Sequence, residues 1–218
     1  MKKKKFSTYI IGLFMLSVAV SFMLKSGLGV SAWDALVSNI VLGTNGNYRL
    51  CNALFSLVLA PISYLMQKKK ITYKVLLPCV ISFFIGLGID IGMVVLPDAN
   101  QIIFKILYLA ISFVLIGIAL NMVILNNFVV PAIDDFGYAV GHVFNKSFGV
   151  GKTIAEVFAL LLAILLGIIF GLSDSSNIFE ILLDYNIGIG TIVYTLIVGL
   201  LIDVFYKLLF KKRVENQS

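Results

Sequence analysis

Charge is what this sequence has least of. Charged side chains make up 13% of its 218 residues, about half the share with which a soluble domain faces water. A water-coated globule of this size is therefore excluded, and lipid is expected to cover most of the surface. Histidine is also scarce: His142 stands alone, so no histidine cluster exists for metal binding, and the residue reads either as structural or as a proton relay. The two cysteines, Cys51 and Cys79, lie in apolar stretches at a spacing that fits no metal site. They read as small buried hydrophobes, and nothing in the sequence supports a disulfide between them. Nucleotide-binding motifs are missing too. Gly149-Val-Gly-Lys-Thr153 resembles the end of a phosphate-binding loop, but position 146, where the loop needs its first glycine, is Lys, and no strand precedes it.

Hydrophobic residues, in contrast, make up 60% of the chain, at a mean hydropathy of +1.04. The net charge of +6 would suggest nucleic acid on a soluble protein. Here the basic residues gather at the ends of apolar runs, so membrane topology accounts for them and no nucleic-acid partner is expected.

A bilayer core requires about 20 apolar residues per helix. Six stretches qualify: Phe6–Leu24, Leu50–Met66, Val75–Leu96, Ile102–Val123, Val150–Leu172 and Ile187–Phe210. The second is short and contains Pro61, a break that packing against neighbouring helices can repair. Lys2 to Lys5 before the first run, with Val30-Ser31-Ala32 after it, imitates a signal peptide. The 19-residue run exceeds the usual signal core of about 7–15 residues, so a retained first helix is expected. With the N-terminus inside, fourteen Lys and Arg fall inside (Lys2, Lys3, Lys4, Lys5, Lys68, Lys69, Lys70, Lys74, Lys146, Lys152, Lys207, Lys211, Lys212, Arg213) and three outside (Lys25, Arg49, Lys105). The basic excess belongs to the cytoplasmic side. The acidic loop with Asp174, Glu180 and Asp184 then lies outside.

Two apolar segments, Ser31–Gly43 and Pro131–Phe144, have only 13 and 14 residues. That length suits re-entrant or interfacial helices. Ser31-Ala-Trp-Asp34 reads as a capping box, and Pro131 followed by Asp134 and Asp135 suits a first turn. The two halves also resemble each other. Val30-Ser-Ala-Trp-Asp34 aligns with Val130-Pro-Ala-Ile-Asp134, and Gly86-Leu-Gly-Ile-Asp90 with Gly199-Leu-Leu-Ile-Asp203. Three spans per half is an odd number, so the second half starts from the opposite side. The expectation is a single membrane domain over 1–218. It is an all-α protein of six transmembrane helices, built as two inverted three-helix repeats (about 6–97 and 102–210), each with a short re-entrant or interfacial helix. Inverted repeats build many secondary transporters, with the site at their interface.

Several residues stand out as candidates for chemistry or for close helix contact. Asp90 and Asp203 fall a few residues past the centres of the third and sixth spans. An ionised carboxylate there costs at least ~2.5 kcal/mol against lipid, so each faces a cavity, binds a proton or cation, or locks helices by hydrogen bonding. Glu156 follows Lys152 by one turn, as an i,i+4 pair near the interface or, in a deeper span, as a third carboxylate of the cavity. Asp34 and Asp134 either complement helix dipoles or sit on short helices whose N-termini point at a central anionic ligand, against which their own carboxylates argue unless a cation or proton comes with it. Asn121, Asn126 and Asn127 end the fourth span and either bond across helices or line a polar path. Trp33 is expected as an interfacial anchor, and Gly88-Ile-Asp-Ile-Gly92 as a close helix contact. An aspartyl-protease dyad needs carboxylates about 3 Å apart, whereas the depths of Asp90 and Asp203 differ by roughly 13 Å at helical rise.

Gly27-Leu-Gly-Val-Ser-Ala-Trp-Asp34 resembles the Gly-Leu-Gly-x-x-Pro-Trp-Asp signature of YczE/YyaS/YitT-like bacterial membrane proteins. Gly188-Ile-Gly-Thr191 followed by Gly199-x-x-x-Asp203 is similar to the last helix of that family. Ala32 stands where proline is usual, and Leu200 where proline often follows the glycine. The resemblance spans nearly the whole chain and implies a bacterial cytoplasmic membrane location, with N- and C-termini inside by the charge count. It implies no activity and no catalytic residue. The resulting expectation is a small secondary transporter or permease for an unidentified small solute or ion. Asp90, Asp203, Asp34, Asp134, Glu156 and Asn121 are its path candidates. The alternative is a membrane-embedded regulatory or assembly subunit. Neither reading needs a cofactor, a metal or an enzyme's residues; the lipid bilayer is the surrounding partner, and a homo-oligomer is compatible with both.

Overall fold

The computed structural model describes residues 2–126 and 128–210, with side chains from residue 5 onward. Asn127, Lys211, Lys212 and Arg213, and the side chains of Lys2, Lys3 and Lys4, lie outside the described residues. No strand occurs among them; the elements are α1 (Lys2–Ser26), α2 (Ala32–Thr44), α3 (Tyr48–Met66), α4 (Leu77–Val95), α5 (Ile102–Ile124), α6 (Ala132–Val143), α7 (Phe148–Ile169), α8 (Ile178–Asp184) and α9 (Ile189–Phe205). A 3-10 turn, Tyr73–Leu76, leads into α4, and a π turn, Tyr206–Phe210, continues α9. Helices α1, α3, α4, α5, α7 and α9 with their flanking turns are long and apolar enough to cross a membrane. Each falls on one of the six runs read from the sequence, and α3 continues through Pro61. Their outward faces carry large apolar side chains such as Phe14, Val94, Phe104 and Leu161, all exposed, as a lipid-facing surface requires.

α1 is central, packed on α5 and α4; α9 packs on α5 and α7, and α3 on α4. Small residues set the α1–α4 distance. A Cβ on Gly88 would stand 2.6 Å from Ser17, and one on Gly92 2.2 Å from Ser21. The two serines donate across that contact to the Ile85 and Ile89 carbonyls. This is the close packing expected of Gly88-Ile-Asp-Ile-Gly92.

The short helices pack across the molecule, α2 on α7 and α6 on both α3 and α7. α2 runs alongside α7 in the same direction: Ala32 meets Glu156, Asn39 donates to the Ala163 carbonyl, and Gly43 abuts Phe170. Its N-terminus therefore lies within the length of α7 and its C-terminus level with the end of that helix. Each short helix turns into the following span through an asparagine in the left-handed region, Asn45 (φ 50°) and Asn145 (φ 52°). The side chains of Asn47 and Ser147 then cap α3 and α7 by accepting from Leu50 and Val150. Ahead of α2, the chain lies against the start of α9. Val30 donates to the Asn186 carbonyl and Gly190 to that of Leu28. Gly29, at φ +99°, approaches Gly188 so closely that a Cβ would sit 2.4 Å from its nitrogen.

The structure corrects one expectation here. Trp33 is no interfacial anchor: it is 1% exposed and packs between Phe55 and Phe136. α8 was not read from the sequence; seven residues make too little apolar periodicity to stand out.

Candidate functional site

The first turns of α2, α6, α3 and α7 converge on a cavity of about 60 Å³. Its apolar walls are Leu16 and Val20 of α1, Ile85 and Ile89 of α4, and Ile116 and Leu120 of α5. Its polar lining is Ser31, Trp33 and Asp34 from α2 and its cap, Asn52 of α3, Ser82 of α4, Asp134 of α6 and Lys152 of α7. At roughly 10–15 Å³ per water-sized occupant, the space suits a few waters or one small ligand.

Around it lies a buried ionic cluster. The Lys152 ammonium is 2.8 Å from Asp134 Oδ1 and 3.3 Å from Glu156 Oε1. Glu156, with no exposed surface, uses its other oxygen to accept the Ala32 N–H at 3.0 Å, capping α2 from across the molecule. That contact is favourable because a helix N-terminus carries unpaired N–H groups and the positive end of the dipole. Asp34 is held differently. Tyr48 donates its hydroxyl to Oδ1 at 2.8 Å and Ser31 donates to Oδ2 at 2.5 Å, while Ser31 Oγ accepts the Asp34 N–H. Half of the expected capping box is thus present, the serine accepting but the carboxylate turned to the serine hydroxyl. Three carboxylates face one ammonium, leaving two negative charges in excess when all the acids are ionised.

Three buried polar atoms of residues at this cavity have no partner among the described residues: Trp33 Nε1, Asn52 Oδ1 and Ser82 Oγ. Asn52 spends its amide nitrogen on the Ser82 carbonyl at 2.9 Å, so its oxygen is left over. An unmet buried group costs about 1–3 kcal/mol, and three around one space point to a polar occupant.

The residues read from the sequence divide cleanly. Asp34, Asp134 and Glu156 come together, joined by Lys152. Glu156 forms the i,i+4 pair with Lys152, buried inside the protein, and is not itself part of the cavity lining. Asp90 stands apart: its carboxylate accepts the Tyr48 and Arg49 N–H groups at 3.0 and 3.3 Å, capping α3, with the Arg49 guanidinium 3.7 Å away. Asp203 is exposed and its side chain forms no hydrogen bond or ion pair among the described residues. Asn121 donates to the Gly117 and Ile202 carbonyls, tying α5 to α9. Asn126 bonds back to its own helix at Met122, Asn127 lies outside the described residues, and His142 is exposed. Among the described residues, no group of three or more His, Cys, Asp or Glu could hold a metal ion. Sequence reasoning missed Asn52, Ser82, Tyr48 and the burial of Lys152. The signal was present for one pair, since Asn52 and Lys152 lie equally far into α3 and α7.

The sequence profile of a "Family of unknown function (DUF6198)" matches residues 3–207. The chain is also similar to "Uncharacterized protein YyaS" of Bacillus subtilis (strain 168), 27% identical over 204 residues that cover 92% of each chain. The resemblance drawn from Gly27–Asp34 to the YyaS-like family therefore holds. No solved structure matches.

Proposed function

The chain belongs to the DUF6198 family, and from that premise we propose that it is a small secondary transporter whose substrate site is the cavity between its two halves. The observation that carries this reading is a small space lined from both halves, with polar groups among its apolar walls and an excess of buried negative charge beside it. Intramembrane ionisable groups mark ion and substrate paths.

The inverted-repeat reading has support in the lining itself. Leu16 and Ile116, Val20 and Leu120, Asp34 and Asp134, and Asn52 and Lys152 all face the cavity, each pair one hundred residues apart. The Asn45 and Asn145 turns share the same spacing. The packing also exchanges: α2 lies on α7 as α6 lies on α3, and α1 meets α4 as α5 meets α9. Sites at such interfaces open alternately to each side when one repeat rocks against the other. With no nucleotide-binding motif in the sequence, an ion gradient is the proposed energy source. We place both termini in the cytoplasm of a bacterial cell: with the buried Lys152 set aside, thirteen basic residues remain inside against three outside. We read no enzyme in it.

A second reading, a regulatory or assembly subunit without transport, is favoured by one observation: Asp90 spends its carboxylate on capping α3. Cysteine accessibility separates the two. In a background with Cys51→Ala and Cys79→Ala, Ile85→Cys places a thiol on the cavity wall. Labelling by small membrane-impermeant reagents applied from either side of the membrane, in separate experiments, supports alternating access. A folded variant that labels from neither side, or from one side only, refutes it.

A further inference from the structure

We propose that the cavity binds one small ammonium-type cation beside Asp34, in the place that Lys152 occupies beside Asp134. The cation's status as cargo rests on the transport reading above; its binding rests on the cavity alone.

The argument starts from a mismatch between matched positions. Asp34 and Asp134 are each the third residue of their short helices, and α3 and α7 start at Tyr48 and Phe148. Four residues further along, α7 carries Lys152 and α3 carries Asn52. Asp134 thus has a tethered ammonium at 2.8 Å. Asp34 has none: it forms no ion pair among the described residues and receives only neutral hydroxyls from Tyr48 and Ser31. A buried carboxylate without a cation is costly, and the cluster as a whole carries two more acids than bases.

The unpartnered atoms describe what is missing. Asn52 Oδ1 and Ser82 Oγ, on residues 4% and 1% exposed, lack partners among the described residues, and both residues line the same space. With Asp34 and Asp134 they offer oxygen acceptors from four helices to a group that has several N–H donors. A primary ammonium donates in three directions; the tethered one, Lys152, donates to Asp134 and lies 3.3 Å from Glu156. An alkali ion would instead need a closed oxygen shell, and the lining supplies mainly aliphatic walls beyond these four residues. The remaining orphan, Trp33 Nε1, is a donor and calls for an acceptor, which a water accompanying the cation provides. A cavity of about 60 Å³ admits ammonium or methylammonium with such a water and shuts out quaternary amines of choline size.

The test is thermal unfolding of the purified full-length protein in detergent, titrated at fixed ionic strength with ammonium, methylammonium, sodium, potassium or choline chloride. Ammonium or methylammonium is expected to raise the midpoint saturably above the choline baseline. Asn52→Lys, which supplies the ammonium covalently, is expected to abolish that rise without lowering the starting midpoint. Should Asn52→Lys not fold, Ser82→Ala is expected to weaken the apparent affinity about ten-fold. The proposal is overturned if ammonium and methylammonium do no better than choline, if sodium or potassium gives the largest shift, or if the responding variants match the parent. A cation response without two-sided labelling at Ile85→Cys sinks transport and leaves the binding site standing. Two-sided labelling without a cation response does the reverse.

Discussion

Lys152→Met is the most informative single change in this molecule. Methionine keeps the length and apolar stem of the lysine and deletes only the ammonium, so packing is nearly conserved. What remains is Asp134 and Glu156, 6% and 0% exposed, with the cation they shared at 2.8 and 3.3 Å removed. Breaking a buried ion pair from one side costs about 3–5 kcal/mol. One lysine here serves two acids, so the upper end of that range is expected. Against a total stability of about 5–15 kcal/mol, the loss is a large fraction. The protein carries its own probe, because Trp33 is the sole tryptophan and stands at the cavity. Denaturant unfolding in mixed micelles, followed by Trp33 fluorescence, reads the change directly. The control is the triple variant Lys152→Met, Asp134→Asn, Glu156→Gln, which removes the orphaned charges and keeps an acceptor for the Ala32 N–H. It is expected to recover most of the loss, since neutral replacement of a whole buried ionic group is often tolerated. A cost below about 1 kcal/mol for Lys152→Met, or a triple variant no more stable than the single, would refute the reasoning that the cluster is desolvated and held by this one cation.

Three further outcomes follow from the contacts. Gly92→Ala drives a Cβ to 2.2 Å from Ser21 Oγ and is expected to cost about 1–3 kcal/mol; adding Ser21→Gly restores part of it, and stability measured on both variants checks the pair. Asp90→Asn removes the charge from the α3 cap and is expected to cost about 0.5–2 kcal/mol, with Ile85→Cys labelling unchanged, whereas Asp203→Asn stays within about 0.5 kcal/mol of the parent. Single cysteines at Asp98 and Asp174 are expected to label from the same, outer side of the membrane; opposite sides would end the topology and the inverted repeat with it.

The spans were legible because each is a run of some twenty apolar residues, a signal that survives any tertiary arrangement. Capping chemistry likewise announced the short helices: Ser31 and Pro131 stand at their N-caps in the structure. The site was legible only in part. Asp34 and Asp134 stand out in the sequence through their matched segments, whereas Asp90 and Asp203, singled out by depth along a span, lie outside the cavity lining. Depth says nothing about which neighbour a carboxylate meets, and Asp90 meets the open end of α3. Lys152 was counted among the surface cations because it lies one turn inside its helix, where a sequence cannot tell an exposed first turn from one covered by α6. Asn52 and Ser82 carry no signal of their own; single polar residues in apolar runs usually bond to their own helix, as Ser56 and Ser63 do here.

The cap that Glu156 places on α2 has a consequence for biosynthesis. A nascent chain must expose Ala32 and then wait for the 124 residues that separate the two partners before the first short helix gains its terminus, and longer still before Asn186 and Gly190 emerge to seal the approach to it. The amino-terminal portion therefore leaves the ribosome as an unfinished object. Insertion and maturation should be separable in time, and a chaperone or quality-control protease would find its opening in that interval.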